Sequence, residues 1–280
     1  MTDVLDGVRE HYRATGLAQR LKAALAALGP EDQRLTPQQL AALDQFHSRG
    51  LAATAEIAAL AGITGDSAVL DVGSGIGGPA RFLAATYGCR VTGVDLSEPF
   101  EEAAKYLSER TGLEGLVSFR TASALALPFD DGRFDVVLLQ HVAMNIPERA
   151  RLYREIRRML RPGGRFATFD IVLGDIVPGS GEPLYPLPWA RTPATSFLLT
   201  AAGTGAAIEA AGFRPIAWKD ETETVKAWLA GLRNAGPPPA PNLGLVMGPD
   251  FGLLLANVGR NLMEGRLGVL TAVFEAAAIG

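Results

Sequence analysis

The stretch Val69-Leu70-Asp71-Val72-Gly73-Ser74-Gly75-Ile76-Gly77-Gly78 constrains this chain more than any other. A short apolar run, as a buried parallel strand requires, passes straight into four glycines and then into Pro79 and a helical pattern. Glycines let a backbone turn sharply and approach a ligand with no Cβ in the way. A strand, a glycine turn and a helix in that order predict a cofactor cleft at the carboxyl edge of a doubly wound sheet.

The rest of the chain agrees with such a sheet. Apolar runs at Ser67–Val72, Arg90–Val94, Leu116–Thr121, Phe134–Leu139 and Arg165–Val172 read as strands. Helical patterns at Pro79–Tyr87, Ser97–Thr111 and Pro147–Leu160 separate them, with Ser97 as a cap and Arg161–Gly164 as a turn. Further along, Phe197–Ala211, Glu221–Asn234 and Asp250–Glu264 read as helices, and Phe213–Lys219 and Leu267–Phe274 as strands. Repeated β-α units of this length predict helices on both faces of a parallel sheet. Residues 1–65 read as a helical lid, with Thr36-Pro37 as a helix start, and 66–280 as the sheet domain. The Gly- and Pro-rich stretch 174–195 is too long for a plain connection and reads as a functional loop.

Composition bears mainly on exclusions. The formal net charge is −4, unlike a uniformly basic nucleic-acid binder, so no nucleic-acid partner is expected. The seven arginines from Arg149 to Arg165 share their stretch with Glu148 and Glu155 and read as a solvated helix face. No apolar run is long enough to span a bilayer, and the start MTDVLDGVREHYR lacks a basic-then-apolar signal region. Cys89 is the sole cysteine and reads as a small core residue; a cytoplasmic setting is expected.

Gly73, Gly75 and Gly78 satisfy G-x-G-x-x-G, a pattern that also suits a nicotinamide or flavin cofactor. Asp71 argues against that alternative, because it sets negative charge where a pyrophosphate would lie. The same charge suits a cationic amino group, such as the methionine half of S-adenosylmethionine carries. Asp95 closes the second strand about 20 residues beyond the glycines, where an acidic side chain takes ribose hydroxyls. Leu96 beside it is placed to pack on the adenine.

On these residues the chain resembles the class I S-adenosylmethionine-dependent methyltransferases. The matching stretches are VLDVGSGIGGPARFLA, VTGVDLS, ALALPFDDGRFDVV, LLQHVAMNIPERARLYREIRRMLRPGGRFA and GFRPIAW, which together cover roughly residues 67–219. Within that class it is similar to the small-molecule branch, which includes sarcosine/dimethylglycine N-methyltransferases and tocopherol or sterol methyltransferases. Leu43-Asp44-Gln45-Phe46-His47 resembles the lead-in helix of the sarcosine type, with Arg49 standing where relatives often carry glycine. The resemblance implies an α/β, doubly wound, seven-stranded, mostly parallel sheet with an antiparallel last strand. It further implies that Asp71, Gly73, Ser74, Gly75 and Gly77 line the methionine half. Asp95 and Leu96 would meet the ribose and adenine, and Ser123, Ala124 and Leu125 the adenine. Gln140 falls where the chain passes between methionine and acceptor.

Methyl transfer is an in-line displacement that needs positioning and exclusion of water. His141 follows Gln140 at the mouth of the sheet, placed either to take a proton or to orient the acceptor. His47 is the second catalytic candidate, expected to fix the lid or touch the cofactor. Tyr185 and Trp189 in the long loop, with Tyr12 and Arg49, are the candidate acceptor residues; Arg49 or Arg191 would suit a carboxylate. The expected partner is a small-molecule methyl acceptor met by a monomer or homodimer, with no metal. The competing readings are a nicotinamide-dependent oxidoreductase and a nucleotide-binding protein without turnover.

Overall fold

The computed structural model describes residues 16–26, 29–174, 181–235 and 241–277. His11, Tyr12 and residues 175–180 of the long loop lie outside them.

Seven strands form one sheet: β1 (Ala68–Val72), β2 (Arg90–Asp95), β3 (Val117–Thr121), β4 (Phe134–Gln140), β5 (Leu160–Leu173), β6 (Phe213–Asp220) and β7 (Leu267–Ala276). Their order across the sheet is 3-2-1-4-5-7-6. The β1–β2, β2–β3, β1–β4 and β4–β5 pairs are parallel, while β7 runs antiparallel to both β5 and β6. Strand order reverses between β2 and β4 on either side of β1, and a ligand crevice opens at such a switch point.

Among the described residues the α-helices are α1 (Leu17–Leu25), α2 (Pro37–Asp44), α3 (Leu51–Ala61), α4 (Gly78–Tyr87), α5 (Glu98–Thr111), α6 (Arg149–Met159), α7 (Ala201–Glu209), α8 (Thr222–Ala235), α9 (Gly244–Met247) and α10 (Phe251–Met263). Alternation along β1 sends Val69 into one apolar cluster and Leu70 and Val72 into another. The first cluster joins α3, α4, α8 and α10 to one face of the sheet through residues such as Ile57, Leu83, Leu229 and Leu262. The second joins α6 and α7 to the other through Leu152, Ile156 and Ile208.

The N-terminal helices are tied into this body. Thr36 and Gln39 form a reciprocal capping box at the start of α2, with Pro37 in the first turn. Leu17, Leu21 and Leu25 of α1 pack with Leu40 and Leu43 of α2 against Phe100, Ala103 and Leu107 of α5. Each such leucine removed from water contributes about 1.5–3 kcal/mol. Arg81 of α4 reaches Asp44 at 2.8 Å, and both side chains are fully buried.

Close packing at that junction explains Gly78. A Cβ there would lie 2.2 Å from the Asp44 carbonyl oxygen. The obstacle is backbone and cannot swing aside. Gly78→Ala is therefore expected to destabilise the fold by about 1–3 kcal/mol despite alanine's better helix propensity. A thermal melt at or above the parent's midpoint would contradict this contact.

Three local expectations are corrected. Phe197–Thr200 lies outside the helix, because Phe197 N–H donates to the Met144 carbonyl and Leu173 N–H to the Leu199 carbonyl. The helix starts only after Thr200, whose hydroxyl accepts from Gly203 N–H at 3.0 Å. Ser97 precedes α5 but makes no side-chain cap; its N–H donates to Asp95 Oδ1 instead. The Arg161–Gly164 turn lies inside β5 as an excursion, since Leu160 pairs with Phe134 and Arg165 with Val136.

Candidate active site

The glycine turn forms because Gly73, Gly75 and Gly77 all hold positive φ, at 75°, 53° and 81°. Gly73 and Ser74 N–H groups both donate to the Val94 carbonyl, at 2.7 and 3.0 Å, which folds the turn against the end of β2. At Gly73 a Cβ would strike Val142, 2.3 Å away. Glycine there lets the turn pack directly against Val142.

A cavity of about 740 Å³ opens there, within the ~300–1,000 Å³ range of small-molecule sites. Gly73, Gly75, Asp95, Leu96, Ser123, Ala124, Leu125 and Gln140 line it, as do His47, His141 and Trp189. Thus most of the residues expected from sequence come together. Asp71, Ser74 and Gly77 do not line the cavity: Asp71 lies below the turn, and a Cβ on Gly77 would meet Phe119 and Arg81.

Asp71 is buried beneath the turn, and its Oδ2 has no hydrogen-bond partner. Burial, reinforced by Asp95 nearby, pushes its carboxyl up to about 7. Asp95 accepts Gly75 N–H on Oδ2 at 2.9 Å and Ser97 N–H on Oδ1 at 3.0 Å. Leu96 N–H also acts on this carboxylate, and of its roughly four acceptor positions at least one remains for a ligand. Ser123 Oγ accepts from Leu125 N–H at 3.2 Å and so braces its own turn. Gln140 is buried with neither side-chain polar atom partnered.

His141 sits at φ 54°, a left-handed conformation rare outside glycine. Such backbone costs about 1–3 kcal/mol and persists where surroundings enforce it. Here His141 N–H donates to the Phe169 carbonyl at 2.8 Å, and the ring lies 5.0 Å from the Phe169 ring. Its Nε2 is buried without a partner, and burial lowers the imidazole to about 3. His47 stands beside it, ring centroids 6.1 Å apart. The His47 Nε2 is 3.1 Å from the Gly50 carbonyl and 3.0 Å from Thr54 Oγ1. A carbonyl only accepts, so Nε2 carries the proton. Burial lowers this ring to about 4.

Asp170 holds the segment after β4, a role the sequence reading missed. Its Oδ2 accepts Ala143 N–H at 2.9 Å and its Oδ1 accepts Ile171 N–H at 3.0 Å. Burial lifts this carboxyl to about 7. The only sequence signal is an acid inside the apolar run Phe166–Leu173.

These groups act on stability in opposite directions. His47 and His141, lowered in the fold, stay neutral while the unfolded chain protonates below pH 6.5, so their contribution falls with decreasing pH. Asp71 and Asp170, raised in the fold, keep protons that the unfolded chain releases above its value of 3.8. Their contribution is present in acid and is lost as pH rises through about 7.

The acceptor candidates divide. Trp189 lines the cavity, and its Nε1–H donates to Ser196 Oγ at 2.9 Å. Tyr185 packs against the core cluster instead. Arg49 is turned to Glu56 and to the buried Glu221, and Arg191 to Asp250, so neither points a free cation into the cavity. The remaining roof comes from α8 to α10, with Trp228, Leu229, Leu232, Met247, Phe251 and Leu255. Sequence reasoning assigned none of these. The lining also includes Asn145 and Glu148, each with a buried unpartnered oxygen.

Comparison with known proteins agrees with this geometry. A family model described as a methyltransferase domain matches residues 70–168, from the middle of β1 into β5. Over that stretch the chain is similar to the class I S-adenosylmethionine-dependent methyltransferases. Over 113 residues it is 41% identical to a sarcosine/dimethylglycine N-methyltransferase of Halorhodospira halochloris, 40% of each chain. Over 97 residues it is 39% identical to the chloroplastic tocopherol O-methyltransferase of Arabidopsis thaliana, 35% of this chain and 28% of that one. The matched segments thus span well under two thirds of these relatives. The fold extends further: geranyl diphosphate C-methyltransferase from Streptomyces coelicolor A3(2) superposes with a TM-score of 0.70 over 98% of both chains, at 17% identity. Among the described residues no helix is long and apolar enough to cross a membrane.

Proposed function

We propose that this methyltransferase fold transfers a methyl group from S-adenosylmethionine to a small-molecule acceptor. The observation that carries the reading is the set of buried, unpartnered polar atoms on Asp71 and Gln140 at the glycine turn. Native structures leave few such atoms without a ligand to meet them. They fit this cofactor: a carboxylate for an ammonium, an amide for the polar methionine end, and Asp95 for vicinal hydroxyls. When bound, the cofactor supplies a methyl group activated by a sulfonium leaving group.

The chain's own task is positioning and exclusion of water. Asp71, Asp95 and the open glycine turn hold the donor. Trp189 and the α8–α10 roof wall off solvent. His141 Nε2 accepts a hydrogen bond from the attacking group and aims it. With its imidazole near 3 it orients better than it abstracts a proton. His47, held by Gly50 and Thr54, supports the wall beside it.

His141→Ala is expected to lower kcat by about 10²-fold while affinity for S-adenosylhomocysteine stays within about twofold. The parent kcat should show no inflection near pH 6.5. A limb near that pH that vanishes in the variant would make His141 the base instead. Incubation with S-adenosylmethionine and a panel of alcohols, phenols, amines and isoprenoids, read by mass spectrometry, tests the reaction itself. Tight NAD(P)H binding with none of S-adenosylhomocysteine would overturn it.

A further inference from the structure

The acceptor half of the cavity has a chemistry more specific than its size. Its roof is aromatic and aliphatic: Trp228, Leu229 and Leu232 on α8, with Met247, Phe251 and Leu255 beyond. Its floor, at the end of β4, offers His141 Nε2, Asn145 Oδ1 and Glu148 Oε1, all buried and without partners. The two carboxylate and amide oxygens only accept hydrogen bonds. The His141 nitrogen is an acceptor too whenever Nδ1 carries the proton. The ionisable residues among the described lining are His47, Asp95, His141 and Glu148. The nearby cation Arg49 is already bound between Glu56 and Glu221.

We infer that the acceptor is a predominantly apolar molecule that carries a hydrogen-bond donor, hydroxyl or amine, and no anionic group. The inference rests on the methyltransferase reading of the same cavity. A donor on the acceptor satisfies oxygens that are otherwise desolvated and alone. An apolar body gains from leaving water against the roof. A carboxylate or phosphate meets the reverse: it enters a low-dielectric chamber, faces Glu148 and finds no free guanidinium or ammonium among the described lining. Recognition of anions in folded proteins leans on Arg or Lys, and here Arg49, between the lining residues Ser48 and Gly50, is spent on Glu56 and Glu221.

The same reasoning separates this chamber from one built for amino-acid acceptors. A small zwitterion such as sarcosine would need a cation for its carboxylate and would leave the aromatic roof without contact. The described residues provide the roof and not the cation.

The test uses four ten-carbon probes that differ only at the head: 1-decanol, decylammonium, decanoate and decyl phosphate. Each is titrated into the full chain saturated with S-adenosylhomocysteine. Tryptophan emission reports binding, since Trp189 and Trp228 line the cavity while Trp218 is exposed on β6. The expected result is saturable binding of decanol or decylammonium, with decanoate and decyl phosphate weaker by at least about tenfold. Leu232→Arg, a change at a partly exposed lining position, should narrow or reverse that gap. Anionic probes that bind the parent as tightly as decanol would overturn the inference, and so would silence from all four. Loss of S-adenosylhomocysteine binding, measured separately by calorimetry, would instead strike the cofactor reading.

Discussion

Asp71→Asn is expected to weaken S-adenosylhomocysteine binding by about 10²–10³-fold while leaving the fold intact. The parent carboxyl is buried, has an unpartnered Oδ2 and sits at about 7 without ligand. An ammonium placed against it converts a desolvated acid into half of a buried ion pair. Truncating one member of such a pair costs about 2–5 kcal/mol, much of it from the charge left alone. Asparagine keeps shape and one acceptor oxygen, so the loss reports charge and not packing. The variant should even gain stability above pH 7, where the parent must hold an unpaired carboxylate.

The raised carboxyl adds a second signature. Below about 7 the free protein carries a proton on Asp71, and the complex should not. Binding at pH 6 should therefore release close to one proton, seen as a dependence of calorimetric enthalpy on buffer ionisation. The affinity should drop by up to about tenfold per pH unit below that point. In Asp71→Asn the released proton should disappear. Proton release that persists unchanged in the variant would remove Asp71 from the amino-group site.

Arg81→Ala is expected to be the most destabilising single change in the cofactor domain outside the apolar core. Arg81 and Asp44 are fully buried and 2.8 Å apart. Burial raises the Asp44 carboxyl and lowers the Arg81 guanidinium, with the partner opposing each shift. Removing one partner of a buried pair leaves the other uncompensated, at about 3–5 kcal/mol. For a chain of this size the melting midpoint should fall by roughly 10 °C. The joint replacement Asp44→Leu with Arg81→Met, which buries no charge, should recover more than half of that loss. A double variant as unstable as the single one would show that the pair does more than neutralise itself.

This pair also bears on the site. Gln45 lines the cavity and donates to Asp44 Oδ1 at 3.1 Å, while Arg81 lies one turn into the helix that follows the glycines. The Asp44–Arg81 pair thus joins the close packing of Gly78 on the Asp44 carbonyl in fixing the N-terminal α2 to the glycine turn. Arg81→Ala should weaken cofactor binding as well as lower the melting point.

What the sequence made legible follows from the range of the forces involved. The strand–glycine–helix passage at 69–78 needs only local backbone rules, and the sharp turn is there, with positive φ at Gly73, Gly75 and Gly77. Alternating β-α patterns gave the sheet, while its antiparallel last strand came from the resemblance alone and is seen in the pairing of β7 with β5. Pairings between distant residues were not legible. Asp44 and Arg81 lie 37 residues apart, and Arg49 finds Glu221 across 172. Arg49 therefore read as an anion grip when its charge was already matched. The α8 and α10 helices were recognisable as helices, but amphipathic spacing does not say which cleft a helix will roof. Asp170 read as part of an apolar strand, because nothing local shows that its oxygens hold the backbone after β4.

The most direct test of the account is a crystal structure of the full chain with S-adenosylhomocysteine. The expected complex has the amino group against Asp71, the ribose hydroxyls on Asp95 and the adenine beside Leu96, with His141 facing the sulfur across the acceptor chamber. The ligand seated elsewhere, or reversed so that its adenine lies over Asp71, would contradict it.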